Sequence, residues 1–144
     1  MRIYLDNCCF NRPFDDQSQI RVRLEAEAKL KIQEEIRSGY LQLAWSYILD
    51  YENEKNPYQE RKERIKSWKK YAVSDIQESS ELLEAATLLN QQGIQKIDCL
   101  HIACAILSRC KYFLTTDDGI LQRGKVIENI KIDDPIGFKK EVFS

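Results

Sequence analysis

Short apolar runs alternate with segments of helical periodicity along nearly the whole chain, and this alternation narrows the available folds more than any other feature. Ile3, Tyr4 and Leu5 form an apolar run closed by the turn-prone pair Asp6-Asn7, the pattern of a strand buried on both faces. Pro13 and the polar stretch Asp15 to Ser18 read as a loop. Beyond it Ile20, Leu24, Ala28, Ile32 and Ile36 recur at helical spacing between Ser18, a candidate N-cap, and Gly39. Tyr40 to Trp45 has the composition of a second strand. Ser46 is placed to cap a helix running through Leu49 toward Glu52, and Pro57 interrupts that helix or opens the next. Ala72 to Ile76 reads as a third strand. Leu82, Ala86 and Leu89 form a helical stripe opened by Ser79 or Ser80 and closed by Gly93. A largely buried helix begins near Ile97 or Asp98. Tyr112 to Thr116, a short helix from Asp118 to about Arg123, and Asn129 to Asp133 complete the series. Strands alternating with helices predict a parallel sheet joined by right-handed crossovers.

At 144 residues and 43% hydrophobic, the chain is expected to form one domain over residues 1–144. A net charge of −1 gives no global positive field, so nucleic-acid binding would have to rest on a local patch. The five cysteines Cys8, Cys9, Cys99, Cys104 and Cys110 are odd in number and contain no C-x-x-C pair, which argues against a disulfide framework and a zinc knuckle. The opening MRIYLDNCCF has too short an apolar run for a signal peptide, and no segment approaches the roughly 20 apolar residues of a membrane span. A soluble cytoplasmic protein is expected.

Four acids, Asp6, Glu52, Asp98 and Asp117, each lie where a strand or turn hands over to a helix. In an open α/β sheet ligands collect outside the carboxyl ends of the strands, so acids after successive strands can converge there. Two carboxylates about 5 Å apart repel by roughly 3 kcal/mol at an effective dielectric near 20, a cost that a hard divalent cation turns into affinity. Each acid also has a plainer reading. Asp6 can cap a turn; Asp50 and Glu54 compete with Glu52 on one helix; Asp98 can cap its helix; and of Asp117 and Asp118 one can ligate while the other caps.

The segments YLDNCCF, SYILDYEN, IDCLHIACAIL and FLTTDDGIL occur in that order, and through them the chain, from about residue 2 to residue 135, resembles the PIN-domain ribonucleases. The resemblance implies a three-layer α/β/α sandwich on a central, mostly parallel, about five-stranded sheet. It matches Asp6, Glu52, Asp98 and Asp117 to the family's acidic quartet, with Thr116 or Asp118 assisting, and favours Glu52 over Asp50. It also implies an Mg²⁺- or Mn²⁺-dependent endoribonuclease cutting RNA to leave 5′-phosphate and 3′-hydroxyl ends. The associated role is the toxin of a bacterial toxin–antitoxin pair, VapC-like, held by a small antitoxin and often a homodimer. One departure stands out: the family often has Ser or Thr directly after its first Asp, and this chain has Asn7, which can still donate a hydrogen bond.

The alternatives are a catalytically weak or inactive binding module of the same fold, acting through protein or RNA partners, and a structure-specific DNA nuclease, for which the chain lacks length. His101, the only histidine, lies three residues after Asp98 and reads as a packed, hydrogen-bonded side chain rather than a ligand. Arg61, Lys62, Arg64, Lys66, Lys69 and Lys70 form the most basic stretch, a solvated helix or an RNA contact with Trp68 or Tyr71 available for stacking.

Overall fold

The computed structural model describes residues 1–143. Five strands, β1 (Arg2–Leu5), β2 (Gln42–Ser46), β3 (Ala72–Ile76), β4 (Tyr112–Leu114) and β5 (Lys131–Asp133), form one sheet in the order β3-β2-β1-β4-β5. Every pairing is parallel, with Tyr4 opposite both Ala44 and Phe113. The central position of β1 explains its unbroken apolar run: Ile3, Tyr4 and Leu5 have no exposed surface. Residues Leu43, Ala44, Trp45, Phe113 and Leu114 of its neighbours are equally buried.

Eight helices connect or flank the strands: α1 (Asn7–Asn11), α2 (Ile20–Arg37), α3 (Tyr47–Glu54), α4 (Gln59–Ser67), α5 (Ser80–Asn90), α6 (Lys96–Leu107), α7 (Asp118–Arg123) and α8 (Pro135–Phe143). The chain winds from β1 outward to β3, then returns through α5 and α6 to the other side of β1. Parallel neighbours joined by helical crossovers give the three-layer α/β arrangement expected of the sequence. No helix among the described residues is long and apolar enough to cross a membrane.

Local chemistry accounts for most boundaries. Ser46 and Ser79 cap α3 and α5, accepting from Leu49 N–H at 3.2 Å and Leu82 N–H at 3.1 Å. Gly39 and Gly93 follow helices α2 and α5 at φ 83° and 88°, a region open to glycine. Three expectations need correction. Helix α2 begins at Ile20 after Gln19, not at a Ser18 cap; Ser18 belongs to the preceding turn, where its N–H donates to the Asp16 carboxylate at 3.0 Å. Asp6-Asn7 does not simply end the first strand but opens α1, with Asp6 as its N-cap. Helix α8 was not expected at all. Asp134 caps it through Gly137 N–H at 2.7 Å, Pro135 occupies its first position, and it buries Phe138 edge-on against Tyr112 with ring centroids 4.8 Å apart.

One buried charge runs against the pattern. Lys29 of α2 is 1% exposed, with its ammonium 4.7 Å from the Phe10 ring centroid and 5.3 Å from that of Trp68, and burial lowers its pKa to about 7. A lysine with a lowered folded-state pKa opposes folding wherever the unfolded chain holds the proton more tightly, so its penalty is complete below about pH 7 and gone above 10.5. Lys29→Met is therefore expected to raise stability by about 1 kcal/mol at pH 6, with the gain fading as pH climbs toward 10.5. Urea unfolding at a series of pH values measures this, and a pH-independent difference contradicts it.

Candidate active site

Strands β1 and β4 are neighbours from which the chain departs in opposite directions, toward β2 and toward β5. Such a switch point leaves a crevice at the carboxyl ends of the strands. Asp6 directly follows β1, and its N–H donates to Leu114 O at 2.9 Å, extending the ladder by one residue. Asp6 is 6% exposed, and its carboxylate accepts from Asn7 N–H and the Thr115 hydroxyl, each at 2.8 Å. Thr115 Oγ1 in turn accepts from Asp117 N–H at 3.1 Å, so one hydroxyl ties together the loops that carry two of the acids. The Cys8 thiol fills the remaining space, 3.4 Å from both Asp6 Oδ2 and Thr115 Oγ1. The sequence reading singled out Thr116, which lines the cleft, and missed Thr115, which holds the carboxylate.

Glu52 is aimed from inside the protein. A buried chain runs from Ser46 Oγ to Tyr4 OH at 2.6 Å, from Tyr4 OH to His101 Nδ1 at 2.6 Å, and from His101 Nε2 to the Glu52 carboxylate. A carboxylate is an acceptor only, so with a neutral imidazole Nε2 donates to Glu52, Nδ1 accepts from the Tyr4 hydroxyl, and Tyr4 oxygen accepts from Ser46. Every polar atom is then satisfied in a region of almost no exposure. A proton on Nε2 also withholds that nitrogen from a metal. His101 thus fits its reading as a packed, hydrogen-bonded residue, and it orients an acid as well. Asp50, the competitor of Glu52, accepts instead from Trp45 Nε1 and Lys69 Nζ, both at 3.0 Å.

The structure brings Asp6, Glu52, Asp98 and Asp117 onto one cleft of about 300 Å³, with Asn7, Cys8 and Thr116 completing its wall. Oxygens of Asp6 and Glu52 and a nitrogen of His101 lie within 4.8 Å of one another. Asp98 does not cap α6, whose first turn follows Gln95; it stands inside that turn. Partial burial, reinforced by the charges of Asp6 and Asp117, pushes the Asp98 carboxyl up to about 6. Asp117 caps α7 through Ile120 N–H at 3.1 Å. Gly119 leaves room beside it: a Cβ there would stand a tight 3.1 Å from Asp117 Oδ1. Asp118 faces elsewhere. It forms a two-pronged ion pair with Arg21 at 2.7 and 3.0 Å, and Arg21 also donates to Thr116 O at 3.2 Å, fastening the loop from outside the cleft.

The basic stretch separates into differently placed side chains. Lys62 pairs with Glu54 at 3.0 Å, Arg64 with Glu60 at 3.3 Å, and Lys69 with Asp50 and Asp75 at 3.0 and 3.4 Å. Lys66 is exposed, and Lys70 lies 5.2 Å over the Tyr71 ring. Trp68 is 8% exposed, packed against Tyr71 and the Arg37 guanidinium, so it cannot stack on a base as expected. Arg61 alone among these residues shares a described cavity with Asn7 and Glu52, joined there by Lys55. On the opposite side, Arg123 shares a cavity with Asp98 and Asp117. Neither Lys55 nor Arg123 had been singled out, because each is an isolated charge in the sequence.

Residues 3–126 match the family model described as PIN domain. The structure of VapBC2 from Rickettsia felis, bound to a DNA fragment from their promoter, is similar at 16% identity and a TM-score of 0.57, covering 93% of this chain and 98% of that one. VapBC-1 from nontypeable Haemophilus influenzae is similar at 15% identity and a TM-score of 0.58, covering 94% and 98%. No curated protein matches this chain in sequence.

Two measurements probe the cleft. Because the folded-state pKa of Asp98 is raised, ionising it opposes folding: stability is whole below about pH 4 and falls as pH rises through about 6. In EDTA, Asp98→Asn is expected to melt with the parent at pH 4 and to be roughly 1 kcal/mol more stable at pH 7.5, a figure discounted for solvent screening. Equal melting at both pH values contradicts this. Tyr4→Phe leaves His101 Nδ1 without its donor, and a loss of about 1–3 kcal/mol in chemical denaturation is expected.

Proposed function

The chain belongs to the PIN domain family, and on that premise we propose that it is a divalent-cation-dependent endoribonuclease serving as the toxin of a toxin–antitoxin pair. The observation that carries the reading is the convergence of Asp6, Glu52, Asp98 and Asp117, drawn from distant parts of the chain, onto a single cleft. Their oxygens suit a hard cation, Mg²⁺ or Mn²⁺, and such an ion would favour the charged form of the Asp98 carboxyl, which burial raises most and the charges of Asp6 and Asp117 raise further. When bound, the ion supplies polarisation of a phosphoryl oxygen and a lowered pKa for water.

The chain's own residues contribute preorganisation. Thr115 fixes the Asp6 carboxylate, the Ser46–Tyr4–His101 chain fixes that of Glu52, and the α7 cap fixes Asp117, so the oxygens need little rearrangement to act. Water directed at phosphorus in line with the leaving 3′-oxygen leaves 5′-phosphate and 3′-hydroxyl ends.

An antitoxin partner is supported by the two VapBC structures that share the fold. Apolar surface suited to a small partner or a second copy is also present, with Ile20, Leu24 and Leu30 on α2 between 44% and 67% exposed. Five free thiols suit a reducing cytoplasm.

Purified protein incubated with single-stranded RNA and Mn²⁺ is expected to cut it, and EDTA to stop the cutting. Asp98→Asn is expected to keep the fold by circular dichroism and lose at least about 100-fold in rate. Metal binding without turnover by the parent protein would favour the inactive binding module instead.

A further inference from the structure

The cleft continues past its acids in both directions. On one side it shares Asp98 and Asp117 with a recess of about 120 Å³ that carries Arg123. On the other it shares Asn7 and Glu52 with a recess of about 240 Å³ that carries Lys55, Tyr58 and Arg61. A trough therefore crosses the carboxylates and ends in cations. Lys55 donates to the Tyr51 hydroxyl at 2.6 Å, and Arg123 rests with its guanidinium against Gly93; neither makes an ion pair among the described residues. Tyr58 is 60% exposed, with the Arg61 guanidinium 4.7 Å from its ring centroid. Cations spaced along a groove with an accessible aromatic ring are the means by which proteins hold single strands, whose phosphates follow the charges and whose free bases can stack.

Asn7 stands where the central cleft meets the Lys55 recess, lining both. Its backbone is occupied, N–H on Asp6 at 2.8 Å and C=O on the Asn11 amide at 3.1 Å. Its side-chain amide is not. Oδ1 is shielded from solvent without a hydrogen-bond partner, which leaves Nδ2 as the accessible end of the group. An unpaired shielded acceptor is uncommon in folded proteins and calls for an explanation. The terminal amide torsion is broad and roughly two-fold, so a half-turn exchanges the end presented to the trough. A ribose 2′-hydroxyl is both donor and acceptor and complements either.

We infer that Asn7 selects RNA over DNA by pairing with the 2′-hydroxyl of a single strand laid between Arg123 and Lys55. This rests on the nuclease reading but is judged separately from it, because binding can be measured without cleavage. The probes are single-stranded RNA and DNA of one sequence, with the full chain carrying Asp98→Asn to prevent turnover. RNA is expected to bind roughly 3- to 10-fold more tightly than DNA, the worth of one hydrogen bond, and adding Asn7→Ala is expected to bring that ratio close to one. Arg123→Ala is expected to weaken both strands equally and to shallow the salt dependence, as the loss of a phosphate contact does. The melting temperature of the Asn7→Ala form is expected to match or exceed its parent's, since an unpaired acceptor is removed. A ratio that survives Asn7→Ala, equal affinity for RNA and DNA with Asn7 present, or no binding of either strand overturns the inference. Failure of the otherwise unaltered protein to cleave, with the ratio behaving as expected, would sink the nuclease reading alone.

Discussion

The parallel pairing of β1 with β4 is the contact on which the site depends. It sets Leu5 opposite Leu114, so that Asp6 and Thr115 emerge side by side. The Thr115 hydroxyl then joins the Asp6 carboxylate to the backbone of Asp117, more than a hundred residues away in sequence. A shift of one residue in that pairing would turn the side chains to the opposite faces and part the acids. The buried apolar run of β1 protects the register, because slipping it would drive Ile3 or Leu5 out of its place in the core. Hydrophobic patterning, rather than attraction among the functional groups, assembles the cleft.

Left to themselves those groups repel. Burial raises the Asp98 carboxyl and the charges of Asp6 and Asp117 add to the shift, and the protein holds the others in place with neutral donors instead of cations: a threonine hydroxyl, a histidine N–H and backbone amides. Neutral donors orient a carboxylate without cancelling its charge. An Arg or Lys inside the cleft would satisfy the acids and compete with a metal, and the nearby cations Arg123, Lys55 and Arg61 stand instead in the adjoining recesses. Fixed bearings with uncancelled charge are the arrangement expected of a site built for an external cation.

Much of this organisation was legible from residue patterns. The strand and helix alternation foretold the sheet, and Asp6, Asp98 and Asp117 stood out because each follows a strand or opens a helix, whereas Glu52 lies near the end of α3. Short-range signals hid the rest. Helix α1 has five residues, too few to show a period, and α8 follows Asp134-Pro135, a pair that reads equally well as a loop. Thr115 and Thr116 are chemically identical neighbours, so only the three-dimensional direction of each distinguishes the one that holds Asp6. The basic run drew attention through density of charge, yet density brought its own counter-ions in Glu54, Glu60, Asp50 and Asp75. Trp68 looked available because its neighbours are charged, whereas its indole is needed to cover the core. The resemblance already favoured Glu52 over Asp50; the structure adds the contact with His101, 49 residues distant, which no local pattern reveals, while Asp50 pairs with Lys69.

The most direct test of the central claim is calorimetric titration of Mn²⁺ into the metal-free protein near pH 7.5, paired with thermal melts. The account predicts saturable binding, melting that rises with Mn²⁺ concentration as mass action requires, and loss of both on Asp6→Asn with the fold retained. Absence of saturable binding up to millimolar Mn²⁺, or binding that Asp6→Asn leaves untouched, would contradict it.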